Sequence, residues 1–64
     1  MLDNNTYNLM MQMVEENQSL WRLKNHYTKE TPHCDACGKF WNELTAQKEK
    51  NVAQLEQLIK SHLA

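Results

Sequence analysis

Cys34 and Cys37 are the two cysteines of this 64-residue chain, two residues apart in Thr31-Pro32-His33-Cys34-Asp35-Ala36-Cys37-Gly38. Thiols at this spacing can hold a metal ion, close a short disulfide, or fill a small apolar space, and the residues leave all three readings open. Tetrahedral zinc takes four N or S ligands, of which the pair supplies two. His33 is adjacent, and His26 lies across the expected turn. Cys34, Cys37, His33 and His26 are therefore the candidate metal set, with zinc the candidate cofactor. Two chains can also each contribute a pair to one all-thiolate site. In the redox reading, thiols in the first turn of a helix feel its positive end, which favours thiolate. The negative charge of Asp35 opposes that, and no βαβ pattern of a thioredoxin-like fold surrounds the pair. In the third reading both cysteines are small buried hydrophobes.

Other residue patterns point to less chemistry. Glu15 and Glu16 raise the question of a di-iron bundle, which needs Glu-x-x-His on a partner helix. Three residues after Glu43 and Glu49 stand Ala46 and Val52, so that ligand set is missing. Met10, Met11 and Met13 form a cluster in which Met10 and Met13 fall on the expected core arc and Met11 does not. Core filling explains the first two, and Met11 is left as a candidate partner contact. His62, near the expected end of a helix, suits interaction with the negative pole there. No Gly-rich phosphate loop or nucleophile–base pair is present, so no enzymatic activity is expected.

The elements that must position these residues are helical. One Gly and one Pro in 64 residues leave little punctuation for strands and turns. A first helix over about 4–28 starts from Asp3 as N-cap, with Leu2 and Tyr7 as a hydrophobic staple, or from Asn4 or Asn5 as cap instead. Its apolar residues, from Leu9, Met10, Met13 and Val14 to Leu20, Trp21, Leu23 and Tyr27, cover a broad arc. That arc is wider than the roughly 100° needed to pack on one neighbour. A turn at about 28–31 follows, and a second helix over about 32–62 starts from Thr31 as N-cap and Pro32 as first helical residue. Along it Cys34, Cys37, Trp41, Leu44, Lys48, Asn51, Leu55, Leu58 and His62 repeat at 3-4 spacing, with Val52 and Ile59 widening the stripe. This register turns both thiols toward the interior. A short turn makes the helices antiparallel neighbours, which sets Glu16 and Asn17 beside Lys48 and Asn51 as a polar layer that fixes register or, in a sharper reading, binds a ligand.

A Cys-x-x-Cys-Gly between two antiparallel helices resembles the zinc hook at the apex of the long coiled coil of DNA-repair ATPases. The resemblance rests on Cys34, Cys37 and Gly38, with Asp35 where the hook typically has proline and with far shorter helices. It implies that such a tip can join two chains through one metal ion.

The expectation is an all-α antiparallel helical hairpin that dimerises into a four-helix bundle. Trp21, Trp41, Leu44, Leu55, Leu58, Ile59, Met10, Met13 and Val14 should dominate its core. A formal charge of −1, with both signs mixed along the chain, offers no basic stripe for nucleic acid. No apolar run approaches a membrane span, and no leader pattern opens the chain. A thiol-reducing, cytoplasmic setting follows from two cysteines in so short a chain. The functional expectation is a small non-enzymatic interaction or adaptor protein, a homodimer, with a structural zinc at the cysteines. A thiol–disulfide module, or purely structural cysteines, are the alternatives.

Overall fold

A computed structural model describes residues 3–30 and 33–63, and its described residues are all-α. Helix α1 runs Asn4–Asn25, a short 3-10 helix covers Tyr27–Glu30, and helix α2 runs Asp35–Leu63. The two long helices pack side by side and antiparallel. Asn5 Nδ2 lies 3.3 Å from His62 Nε2 at one end, and the Tyr27 and Trp41 rings meet at 5.0 Å near the other. No helix is long and apolar enough to cross a membrane among the described residues.

The start of α1 is the one its first residues dictate. Asp3 Oδ1 accepts from the Thr6 amide at 2.7 Å, and the Asp3 carbonyl accepts from Tyr7 N–H at 3.0 Å. A carboxylate here satisfies an amide that has no partner inside the helix and faces its positive pole. The staple expected from Leu2 lies outside the described residues. The helix ends at Asn25, short of the expected 28. His26 leaves helical geometry while its amide still donates to the Arg22 carbonyl at 2.9 Å. The Thr28 hydroxyl then donates to the Leu23 carbonyl at 3.0 Å. A β-branched hydroxyl residue gains more from such a bond than from continuing the helix.

The second helix begins at Asp35, three residues after the expected position. The expected cap and first-turn proline, Thr31 and Pro32, lie outside the described residues. Cys34 holds the N-cap position of α2: its carbonyl accepts from Gly38 N–H at 3.0 Å and its sulfur from Cys37 N–H at 3.1 Å. The pair was expected to point inward, but Cys34 is half-buried and Cys37 is exposed. With 29 residues against 22, α2 outruns α1, and its first turns lie beside the 3-10 segment rather than against a helix.

Within the hairpin the contact face of α1 is Thr6, Leu9, Met13, Glu16, Leu20 and Leu23, an unbroken 3-4 repeat of buried and half-buried residues. Leu20 and Leu23 are its buried hydrophobic side chains, Leu23 at 1% exposure. Of the expected core, Trp21, Val14 and Leu58 are exposed, the first at 59%. A single neighbour covers only part of the broad apolar arc, and α2 sits over Leu20 and Leu23 rather than over Trp21. On α2 the inward stripe passes through Trp41, Lys48, Val52, Leu55 and Ile59, while Leu58 turns outward. A straight helix drifts about 20° per heptad against a strict seven-residue repeat. Over the length of α2 that drift moves the inward position from 58 to 59.

Candidate functional site

At the turn end of the rod, Cys34 and Cys37 are joined by a disulfide, with their Cα atoms 5.2 Å apart. Residues three apart on a helix are spaced to allow this bond. The start of α2 holds the pair in place, since Cys34 is at once the N-cap and one half of the bridge. Asp35 follows in the first turn and favours the helix start electrostatically. Tyr27, Trp41 and Phe40 form an aromatic layer beneath, with Phe40 set edge-on to Trp41 at 5.2 Å. Along the outer side of α2, a shallow open depression of about 580 Å³ runs from Cys34 past Gly38 and Lys39 to Glu43.

The structure joins Cys34 and Cys37 in a disulfide, with His33 next to Cys34 in the chain and His26 at the end of α1. His26 closes α1 and packs its ring against Trp21, centroids 5.0 Å apart in a T-shaped contact. His33 is an exposed turn residue. Among the described residues no three His, Cys, Asp or Glu side chains converge as a metal-binding group.

The chemistry this arrangement supports is thiol–disulfide exchange. Cys37 is the exposed partner, open to an incoming thiolate. Attack there makes Cys34 the leaving group. Its sulfur sits at the positive end of α2, within reach of the Cys37 amide, where a negative charge is favoured.

The second sequence-derived candidate, the polar layer, forms in part. Lys48 Nζ donates to both carboxylate oxygens of Glu16 at 3.2 and 3.4 Å, and Gln12 Nε2 donates to one of them at 3.0 Å. Glu16 is buried and its carboxylate fully engaged, so the layer ties the helices together. Asn17 and Asn51 do not join it. Asn17 donates to the carbonyl of Met13, and Asn51 accepts from Gln47. A bond to the carbonyl four residues back is the nearer option for an asparagine on a helix.

Sequence reasoning passed over Phe40, 56% exposed one turn after Cys37, although i,i+3 spacing places the two on one face. It also passed over the Lys24–Glu49 ion pair at 3.1 Å, which bridges the helices at their exposed edge. No protein-family model, curated protein or solved structure matches this chain.

Proposed function

We propose that the chain is a small non-enzymatic helical interaction protein, a homodimer, whose Cys34–Cys37 pair works as a reversible clasp on the first turn of α2. The observation that carries the clasp is the disulfide itself, closed at the end of the rod with one sulfur on the N-cap residue and the other residue exposed. The interaction reading is supported by the imbalance of the hairpin, which buries Leu20 and Leu23 yet exposes Tyr7, Val14, Trp21 and Phe40.

The step is a two-electron exchange with a dithiol reductant. A reductant thiolate attacks Cys37 Sγ, the S–S bond breaks, and its electron pair leaves on Cys34 Sγ. The second reductant thiol then attacks the reductant's own sulfur in the mixed disulfide, releasing Cys37 thiolate and closing the reductant's disulfide. Two electrons and two protons end on the Cys34/Cys37 pair. For so short a loop the bridge contributes about 2 kcal/mol, so opening it loosens the first turn without melting the rod.

Thiol titration against graded ratios of reduced and oxidised dithiothreitol tests the clasp, with metal analysis on the reduced protein. A free-thiol count that moves reversibly between zero and two per chain, without bound metal, supports it. Thiols that stay free under mild oxidation overturn it. Zinc retained at one ion per two chains overturns it in favour of a shared all-thiolate site.

A further inference from the structure

With α2 seated on the Leu20/Leu23 face of α1, the opposite side of α1 carries its own stripe. Tyr7, Met11, Val14, Gln18 and Trp21 follow one another at 4-3-4-3 spacing, the repeat of a helix-packing seam. Tyr7 is 56% exposed, Met11 44%, Val14 50% and Trp21 59%. Beside Val14 the stripe opens into an apolar groove of about 330 Å³ lined by Met10, Met13 and Ile59, with Glu56 and Lys60 at its rim. On one side of the stripe Asn17 and Asn25 are turned back on their own helix, their amides donating to the carbonyls of Met13 and Trp21 at 2.9 Å, while on the other Asn8, Gln12 and Glu15 flank Tyr7 and Met11.

We propose that this stripe docks a second copy of the chain, the two α1 helices lying antiparallel across a two-fold axis at Val14. The inference rests on the interaction reading above and names its face and register. A two-fold interface must be self-complementary, because each residue meets its counterpart across the axis. The central and outer positions of this stripe meet that condition, while Met11 and Gln18, three before and four after Val14, lie level with Asn17 and Met10 of the other copy. Tyr7 precedes Val14 by seven residues and Trp21 follows it by seven, so antiparallel pairing sets each tyrosine against the other copy's tryptophan. Val14 meets Val14, the smallest apolar residue of the stripe at the point of closest approach.

The slender hairpin exposes 5024 Å², more than the roughly 4,300 Å² of a compact monomer of 7.6 kDa, which leaves surface for the roughly 800 Å² that each partner gives to a stable interface. The other flank of the hairpin suits a second copy less, since there α1 presents Asn5, Gln12 and Ser19.

Sedimentation equilibrium, which reads mass independently of shape, combined with site-directed crosslinking tests the proposal. The wild-type protein, its disulfide closed, is expected at twice the chain mass at micromolar concentration. Val14→Cys, with helicity retained by circular dichroism, should form an interchain disulfide on mild oxidation. Tyr7→Cys and Trp21→Cys should crosslink when mixed and not when alone. Trp21→Lys, at an exposed position outside the hairpin core, should raise the dissociation constant about 1,000-fold, because the loss falls on both copies. A wild-type chain that stays at single-chain mass overturns both this proposal and the homodimer reading. A dimer indifferent to Trp21→Lys, or dissociated instead by Phe40→Lys, overturns the α1 face and leaves the homodimer reading standing.

Discussion

At the scale of single residues, Glu16 with Lys48 sets the register of the helices and Asp3 sets the start of α1. Glu16 and Lys48 have side chains only 11% and 20% exposed, and their contact joins residues 32 apart in sequence. Lys48→Ala leaves a buried carboxylate with Gln12 alone, and its expected cost is about 3 kcal/mol, read as a lower urea midpoint. Changing both at once, Glu16→Leu with Lys48→Met, should recover most of that loss, since a matched apolar pair needs no desolvation. Asp3 acts differently. The Thr6 backbone amide and then the Thr6 side chain hold its carboxyl below the usual 3.8, with the charge of His62 adding to this. The folded pKa lies below the unfolded one, so the cap stabilises α1 fully above about pH 4. That contribution disappears as pH falls through the folded value. Helicity by circular dichroism should decline over that range, and Asp3→Asn, which still accepts from Thr6, should flatten the decline. The Asp3 cap and the Glu16–Lys48 contact were legible in the sequence because both follow from counting along helices. The fate of Asn17 and Asn51 was not, because an amide chooses between a distant partner and a nearer one on its own helix, the Met13 carbonyl for Asn17 and the Gln47 side chain for Asn51, by fractions of a kcal/mol.

The element most misjudged from sequence is the beginning of α2. Thr31-Pro32 is a strong start signal, yet the regular helix starts at Asp35 with Cys34 as its cap. Composition carries no hint that a cysteine will serve as cap, because a sulfur is a weak acceptor and its advantage here is that the bridge holds it in place. This assigns a specific behaviour to the first turn. Reduction should raise amide hydrogen exchange at Cys37 and Gly38 well before it affects the middle of α2. In the reduced protein Cys34→Ala should fray that turn, at a cost of about 1 kcal/mol, and Cys34→Ser should not, since its oxygen is the better acceptor. The inward stripe of α2 was readable through its middle and wrong at its ends, where Cys37, Leu58 and His62 are exposed. A seven-residue rule applied from Trp41 onward accumulates the drift that turns Leu58 outward, while Ile59, expected to widen the stripe, stays inward.

At the scale of the whole molecule the hairpin is a rod of 49 × 15 × 14 Å with a radius of gyration of 14.6 Å. A compact domain of this length has a radius near 11 Å. So slender a body has little interior, and its stability concentrates in few side chains. Leu23→Ala should lower unfolding free energy by about 2–5 kcal/mol, out of a total of about 3–10 for a chain this size. Urea denaturation at a concentration low enough to favour single chains measures that directly. The all-α hairpin was legible because punctuation and periodicity are properties of the chain alone. Which arc of α1 would be covered was not, since Trp21 and Leu23 are equally apolar and only the position of α2 distinguishes them. The same slenderness separates the poles of the rod. Asn5 and His62 meet at one and the sulfurs occupy the other, so a surface or dye attached near residue 5 or 62 stands almost a full rod length from the disulfide. The protein can thus be held by one tip while reagents titrate the opposite tip, without the anchor touching the chemistry.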